Sequence, residues 1–511
     1  MSWWKNAAIY QIYPRSFADG NGDGVGDLAG VRARLPYLAS LGVDALWFNP
    51  WYPSSGADGG YDVVDYREID PAYGTLAEAE KLIAEARVLG LRTIVDIVPN
   101  HISHLHPWFR KALSSPDAPE RELFWFSDRP NNWVSEFGGS PWTQLPDGSW
   151  YLHLFTAEQP DLNWQHPLVR AEHEDVLRFW FDRGAAGVRI DSAVLPAKDP
   201  ALPDVVEGEP HPYVDRDELH DIYRSWRRIA DSYDEARVLI GELWLPDAAR
   251  FAKYLRPEEL HTAFNFDFLA CPWDAARLRT SIDTTLAAHA PVDAPATWVL
   301  SNHDVTRVVT RYGRSDTSFA FEAKRAGVPS DVSLGTRRAR AASLLAMALP
   351  GAVYVYQGEE LGLPEYEVPA DAIRDPMHHR SGGVDPGRDG CRIPLPWCGG
   401  TPPYGFGATP TWLPQPTGWE ALTVEAQDGV PGSMLTLYRE ALRLRREFGG
   451  GMRWLDAGEN VLAFAREAGF VCVVNLSEAP VPLPTPGDVV LGSAPLVDGL
   501  LPVDAAVWVR P

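Results

Sequence analysis

The residues best placed to do chemistry begin at Gly187-Val-Arg-Ile-Asp-Ser-Ala193, where Arg189 and Asp191 interrupt an apolar run two residues apart. In a strand that spacing puts both side chains on one face. A charged pair there is costly to bury, so it reads either as a structural ion pair or as a working carboxylate oriented by its arginine. Other apolar runs end in the same way, at Asn100-His101, at Glu242 and at His303-Asp304. Three carboxylates at three separate strand ends, with aromatic neighbours and no nucleophilic Ser or Cys elbow, point to glycoside hydrolysis. One ionised carboxylate attacks the anomeric carbon and one protonated carboxyl donates to the leaving oxygen.

The elements that must carry these residues recur along the chain. Strand-like runs at 8–13, 45–49, 91–98, 187–191, 238–242, 264–269, 298–302 and 352–357 alternate with helical patterns. One such helix, over 167–183, sets Val169, His173, Val176, Leu177, Trp180 and Phe181 on one face and ends at Gly184. Eight such units predict an α/β fold, a (β/α)8 TIM barrel whose strand C-termini face one pocket. An open doubly wound sheet is the alternative, but no Gly-x-Gly-x-x-Gly follows the first strand. The long segment after the third strand predicts an inserted domain over 102–164, leaving 1–101 and 165–435 to the barrel. Residues 362–415 are Pro- and Gly-rich and predict an elaborated loop over the barrel mouth. From 436 to 511 the pattern predicts a linking helix and a C-terminal all-β domain, read as a β-sandwich.

Composition narrows the partners. The 511 residues are 45% hydrophobic and 23% charged, enough for a large core and more than one domain. With 46 Lys and Arg against 69 Asp and Glu, the formal net charge of −23 disfavours nucleic acid and suits an uncharged small-molecule substrate. The 20 tryptophans fit a protein that stacks on flat apolar faces. The four cysteines form no CxxC pair; Cys391 and Cys398 are near enough in sequence to be bridged, with free thiols the default. The first residues lack a basic then apolar leader, and the longest apolar run, 341–356, is broken by Pro350-Gly351. No membrane partner and a cytoplasmic location are expected; oligomeric state is not legible.

The segments Asp-Ile-Val-Pro-Asn-His (96–101), Gly-Val-Arg-Ile-Asp (187–191), Gly-Glu-Leu-Trp (241–244) and Ser-Asn-His-Asp (301–304) resemble, in order, the four signature regions of the α-amylase superfamily, glycoside hydrolase family 13. Gln-Pro-Asp-Leu-Asn-Trp (159–164) further resembles its α-glucosidase and oligo-1,6-glucosidase branch. The resemblance implies Asp191 as nucleophile, Glu242 as general acid/base and Asp304 as the carboxylate that grips the sugar ring. It implies substrate contacts at His101, His303, Phe155 and Tyr61, the last stacking beneath the ring, with Arg189 beside the nucleophile. Asp58 and Arg388 resemble the pair that closes the pocket around the non-reducing end, which implies exo action. Arg-Ile-Pro-Leu-Pro-Trp (392–397) departs from the family's usual Arg-Thr-Pro-Met-Gln-Trp there. Physically, Arg189 should keep Asp191 ionised, while the apolar neighbours of Glu242 should raise its pKa.

A second motif, Asp19 to Asp27, sets oxygen donors at alternate positions between glycines, as a hard cation such as Ca2+ requires. Gly30 stands where an EF-hand has its last glutamate. The motif resembles the calcium loop of oligo-1,6-glucosidase relatives, implying Asp19, Asn21, Asp23 and Asp27 as side-chain ligands and Val25 through its carbonyl; a metal-free Asp/Gly turn is the alternative.

The expected activity is that of a retaining exo-acting α-glucosidase on α-1,4-linked maltose and short malto-oligosaccharides. The alternatives are a glucosyltransferase, an oligo-1,6-glucosidase or isomerase using the same covalent intermediate, and, more remotely, a catalytically inactive partner protein. In the resembling family a valine directly after the nucleophile is associated with α-1,6 cleavage and smaller residues with α-1,4; here that residue is Ser192, which strand alternation should turn away from Asp191.

Overall fold

The computed structural model describes residues 2–511. Eight parallel strands form the central sheet: β1 (Ala8–Ile12), β2 (Ala45–Phe48), β3 (Arg92–Ile97), β4 (Gly187–Ile190), β5 (Val238–Gly241), β6 (Thr262–Ala263), β7 (Thr297–Val299) and β8 (Ala352–Tyr356). Their spatial order is β7-β8-β1-β2-β3-β4-β5-β6, every neighbouring pair parallel. Each strand is buried almost throughout, which is why it reads as a continuous apolar run rather than an alternating one. Between β6 and β7 no backbone ladder forms; instead the Thr297 hydroxyl donates to the Ala263 carbonyl at 2.5 Å and accepts from the Asn265 N–H at 3.1 Å. One side chain therefore closes the ring.

Local chemistry sets the crossovers. Helix Leu76–Val88 opens on a capping box between Thr75 and Glu78. Helix Pro167–Asp182 buries Val169, His173, Val176, Leu177, Trp180 and Phe181, and Gly184 turns the chain at φ +94°. β4 then starts at Gly187, where a Cβ would meet Val238 Cγ1 at 2.3 Å. Only glycine lets these two strands approach so closely.

The sixth strand differs from the expectation over 264–269. It ends at Ala263, and Phe266–Ala270 is helical because the Asn265 side chain accepts from the Phe268 N–H and caps it. A short apolar run carries no periodicity with which to tell a buried strand from a buried helix.

The segment after β3 holds helix Pro107–Ala112 and a three-stranded antiparallel sheet of Phe126–Ser127, Trp142–Gln144 and Trp150–Leu152. At the C-terminal end, helix Met434–Arg445 leads into five antiparallel strands. Among the described residues these strands form one sheet, not the two sheets of a sandwich. One face packs on helix Val332–Ala348, where Trp508 Nε1–H donates to the Leu344 carbonyl at 3.1 Å. Val481, Leu483, Leu496 and Leu501 cover the other, so loops do the work of a second sheet. All four cysteines are free, Cys391 buried and Cys398 exposed. No described helix is long and apolar enough to cross a membrane.

Candidate active site

The C-terminal ends of the strands and the loops above them enclose a cavity of about 350 Å³. Asp58, Tyr61, His101, Phe155, Asp191, Glu242, His303, Asp304 and Arg388 all line it. Nine positions singled out in the sequence thus converge, as a barrel requires of residues at its strand ends. Arg189 does not line the cavity. It lies behind the others, 1% exposed, and meets their carboxylates rather than the open space.

Arg189 organises the floor. Its Nη1 donates to Asp191 Oδ1 at 2.6 Å and to Asp96 Oδ1 at 2.9 Å, while Nη2 lies 2.8 Å from Glu242 Oε2. Asp96 and Arg189 are register partners on β3 and β4, so the sheet itself sets that pair. Burial pushes the Asp96 carboxyl up to about 7 against the pull of Arg189. Burial likewise raises Asp191 well above the carboxylate range, Arg189 opposing and Glu242 adding to the rise. This corrects the expectation that Arg189 would keep Asp191 ionised: burial outweighs the guanidinium, which is shared between Asp191 and Glu242.

Ser192 joins the same two groups. The strand ends at Ile190, the backbone reverses with Ser192 at φ +44°, and its N–H donates to Glu242 Oε2 at 2.8 Å. Its hydroxyl donates to Asp191 Oδ2 at 3.0 Å. The expectation that it points away from Asp191 is therefore wrong, because strand alternation had already stopped.

On the next wall, Tyr61 and His303 stack with ring centroids 5.3 Å apart and planes 9° from parallel. The Tyr61 hydroxyl is 2.8 Å from His303 Nε2, and Gln11 Nε2 is 2.8 Å from His303 Nδ1. The Gln11 amide is a donor, so Nδ1 accepts and Nε2 carries the proton. Burial holds His303 well below its ordinary pKa, and burial with Lys198 nearby lowers His101 to about 3, so both rings are neutral at pH 7. His101 packs edge-on to Phe155 at 4.9 Å, and its Nε2 lies 2.9 Å from Gln159 Nε2. Lys198, wholly buried, pairs with Asp161 at 2.7 Å and bonds Asn100, tying the inserted segment to the β3 and β4 ends.

The far end is closed by charge. Arg388 Nη2 donates to Asp58 Oδ1 at 2.6 Å, and Gln159 Nε2 donates to Asp58 Oδ2 at 3.2 Å. Asp304 accepts from Arg388 Nη1 at 3.2 Å and Arg392 Nη2 at 3.0 Å. Burial raises the Asp304 carboxyl, but His303 and these two guanidiniums overcome it and hold the group below the usual range. Thus Asp304 is held ionised, whereas at Asp191 burial opposes the charge and Arg189 favours it.

Several residues here went unread in the sequence. Asp96 stands at the head of the Asp-Ile-Val-Pro-Asn-His segment, where its alternation with the apolar residues was an available signal. Asp375 and Arg392 lie in the irregular segment above the barrel, where no periodicity marks an inward residue.

In the Asp19 to Asp27 loop, the Asp19 carboxylate accepts N–H bonds from Gly22, Gly24 and Ala408 at 2.6, 2.9 and 3.0 Å. Asn21 Oδ1 accepts from Asp23 N–H at 2.9 Å, and Asp27 Oδ1 from Gly30 N–H at 2.6 Å, capping helix Leu28–Ala33. Among the described residues no group of three or more His, Cys, Asp or Glu is disposed to hold a metal ion.

Residues 11–449 match the family model described as alpha amylase, catalytic domain. The chain is 35% identical over 514 residues to a Rhizobium meliloti protein named probable alpha-glucosidase, covering 93% of this chain and 90% of that one. It is 31% identical over 519 residues to the glucan 1,6-alpha-glucosidase of Streptococcus pneumoniae, covering 93% and 91%. Among solved structures, that of the alpha-glucosyl transfer enzyme XgtA superposes with a TM-score of 0.87 at 35% identity, covering 100% of both chains.

Proposed function

This chain belongs to the α-amylase family, glycoside hydrolase family 13, and on that premise we propose that it is a retaining, exo-acting α-glucosidase releasing terminal glucose from α-1,4-linked maltose and short malto-oligosaccharides. The observation that carries this reading is the Asp58–Arg388 pair across the far end of the cavity, 2.6 Å apart. With that end closed, a glucosyl chain enters only by its terminal unit.

In this reading Asp191 attacks the anomeric carbon and Glu242 protonates the leaving oxygen. Asp191 then leaves as a carboxylate when water, deprotonated by Glu242, attacks in turn. Retention is supported by the two carboxyls sharing the Nη atoms of Arg189 and the two donors of Ser192, which keeps them side by side as a nucleophile and its acid/base partner require. The ionised Asp304 and the neutral rings of His101 and His303 suit hydrogen bonding to sugar hydroxyls, and Tyr61 offers the ring a flat face. We also propose that the Asp19 to Asp27 loop binds one Ca2+ for stability, its alternate oxygen donors turning to the ion from the N–H groups they accept from.

Linkage and mode are tested together by following maltose, isomaltose and maltotriose by proton NMR. The reading requires α-glucose as the first product and maltose consumed ahead of isomaltose; β-glucose first, or release from the chain interior, overturns it.

A further inference from the structure

At the other end of the barrel, where β3, β4 and β5 begin, lies a second cavity of about 350 Å³. Trp3, Arg87, Arg92, Thr93, Glu235 and Arg237 are among the residues that line it. Three arginines therefore stand beside one carboxylate, a local excess of positive charge in a chain whose formal net charge is −23. Glu235 is divided between two of them, pairing with Arg87 and lying 3.5 Å from Arg237 Nη1. Arg92 pairs with no described carboxylate, and its Cζ lies 4.9 Å from the centroid of the Trp3 ring.

Arg237 is the least satisfied of the three. It is 9% exposed, and a guanidinium carries five N–H donors. Nη2 reaches the Phe181 carbonyl only at 3.4 Å, Nη1 has the long contact to Glu235, and Nε has no partner. The Thr93 hydroxyl, on a residue 2% exposed, has none either. Holding the last turn of helix Pro167–Asp182 through Phe181 occupies one donor of the five. A buried guanidinium with most of its donors unfilled is costly unless an acceptor enters the space beside it.

We propose that this cavity binds a phosphate dianion, free or as the phosphomonoester of a small sugar, at a site separate from the active cavity. It stands apart from the α-glucosidase reading, because the two cavities share no lining residue. A phosphomonoester carries a charge of about −1.5 to −2 at pH 7, which matches the excess of three arginines over one carboxylate. A monocarboxylate would neutralise only half of it. Guanidinium forks also suit phosphate oxygens, which accept N–H bonds in pairs. The Trp3 indole at the same cavity offers an apolar face to a sugar that the phosphate carries.

The experiment is isothermal titration calorimetry of the full chain at low ionic strength with sodium phosphate, glucose 6-phosphate or sodium acetate. Phosphate should occupy one site with a Kd on the order of a millimolar or below, and acetate should give no measurable binding. Arg237→Gln and Arg92→Gln should each weaken phosphate about tenfold or more, the scale of a lost hydrogen bond to a charged group. Arg92 is exposed, so its variant keeps the test available if Arg237→Gln does not fold. Glucose 6-phosphate bound more tightly than phosphate assigns the sugar ester, and glucose 6-phosphate bound no more tightly assigns free phosphate. No phosphate binding by the wild type, acetate bound as tightly as phosphate, or an unchanged Kd in Arg92→Gln overturns the proposal.

Discussion

Asp375 holds Arg388 by three hydrogen bonds, from the backbone N–H at 2.7 Å, from Nε at 2.6 Å and from Nη2 at 3.1 Å. Arg388 can therefore reach Asp58 and Asp304 only in the orientation that Asp375 allows. Asp375→Asn should keep the packing but loosen the guanidinium, raising KM for maltose roughly tenfold with a smaller change in kcat. Steady-state kinetics on maltose check this; an unchanged KM would mean that Asp58 alone orients Arg388.

Replacing Asp191 with Asn or Glu242 with Gln should lower turnover by roughly 10⁴-fold while the variants remain folded. Because Arg189 keeps Asp96 and one of the two carboxylates in either variant, no buried guanidinium is left unpaired, and circular dichroism melting should stay close to wild type. Near-normal turnover in either variant would show the roles to be misassigned.

Ser192→Ala removes one hydroxyl donor to Asp191, and a neutral hydrogen bond of about 1 kcal/mol implies roughly a fivefold loss of kcat/KM. Ser192→Val removes the same donor and adds two methyl groups at a residue whose φ of +44° strains a β-branched side chain. Compared with the alanine variant, it should shift the maltose to isomaltose ratio toward isomaltose. Equal ratios in the two variants would move linkage control to the loop over 194–215.

If the Asp19 to Asp27 loop holds Ca2+, a chelator should lower the melting temperature and added Ca2+ restore it, without changing the products formed. Unchanged melting together with no metal by elemental analysis would reduce the loop to a turn whose carboxylates serve only its own N–H groups.

Glu359 provides a test by pH. It is 4% exposed, its Oε1 accepts from the Tyr438 hydroxyl at 2.8 Å, its Oε2 has no partner, and burial raises its pKa to about 8. Its folded pKa lies above the unfolded value near 4.3, so the protonated form stabilises the fold at low pH. That contribution falls away as pH rises from about 4.3 through about 8. Glu359→Gln should melt higher than wild type at pH 9, by on the order of 1 to 3 kcal/mol, and nearly level with it at pH 5. A variant that melts lower at pH 9 would mean that the charge is solvated.

What could be read without the fold was what chemistry imposes locally. Apolar runs ending in Asp191, Glu242 and His303-Asp304 declare themselves because a buried strand has little other use for charge. What stayed hidden depends on neighbours distant in sequence. That Arg189 would bridge Asp191, Glu242 and Asp96 follows from strand registers, which no single strand encodes. Ser192 faces its neighbour because the strand stops one residue earlier than alternation assumes. Asp375 sits in irregular chain, where nothing periodic distinguishes an inward residue from a solvated one. The C-terminal strands were legible one at a time, but whether loops or a second sheet would cover them was not.

The Asp58–Arg388 contact joins residues 330 positions apart. About three quarters of the chain must leave the ribosome before the closed end of the cavity can exist, although β1 to β5 are available long before. Glucosidase activity would therefore report a chain made at least through Arg388: a nascent or truncated chain lacking it can bury much of its barrel and still leave the far end of the cavity open to water.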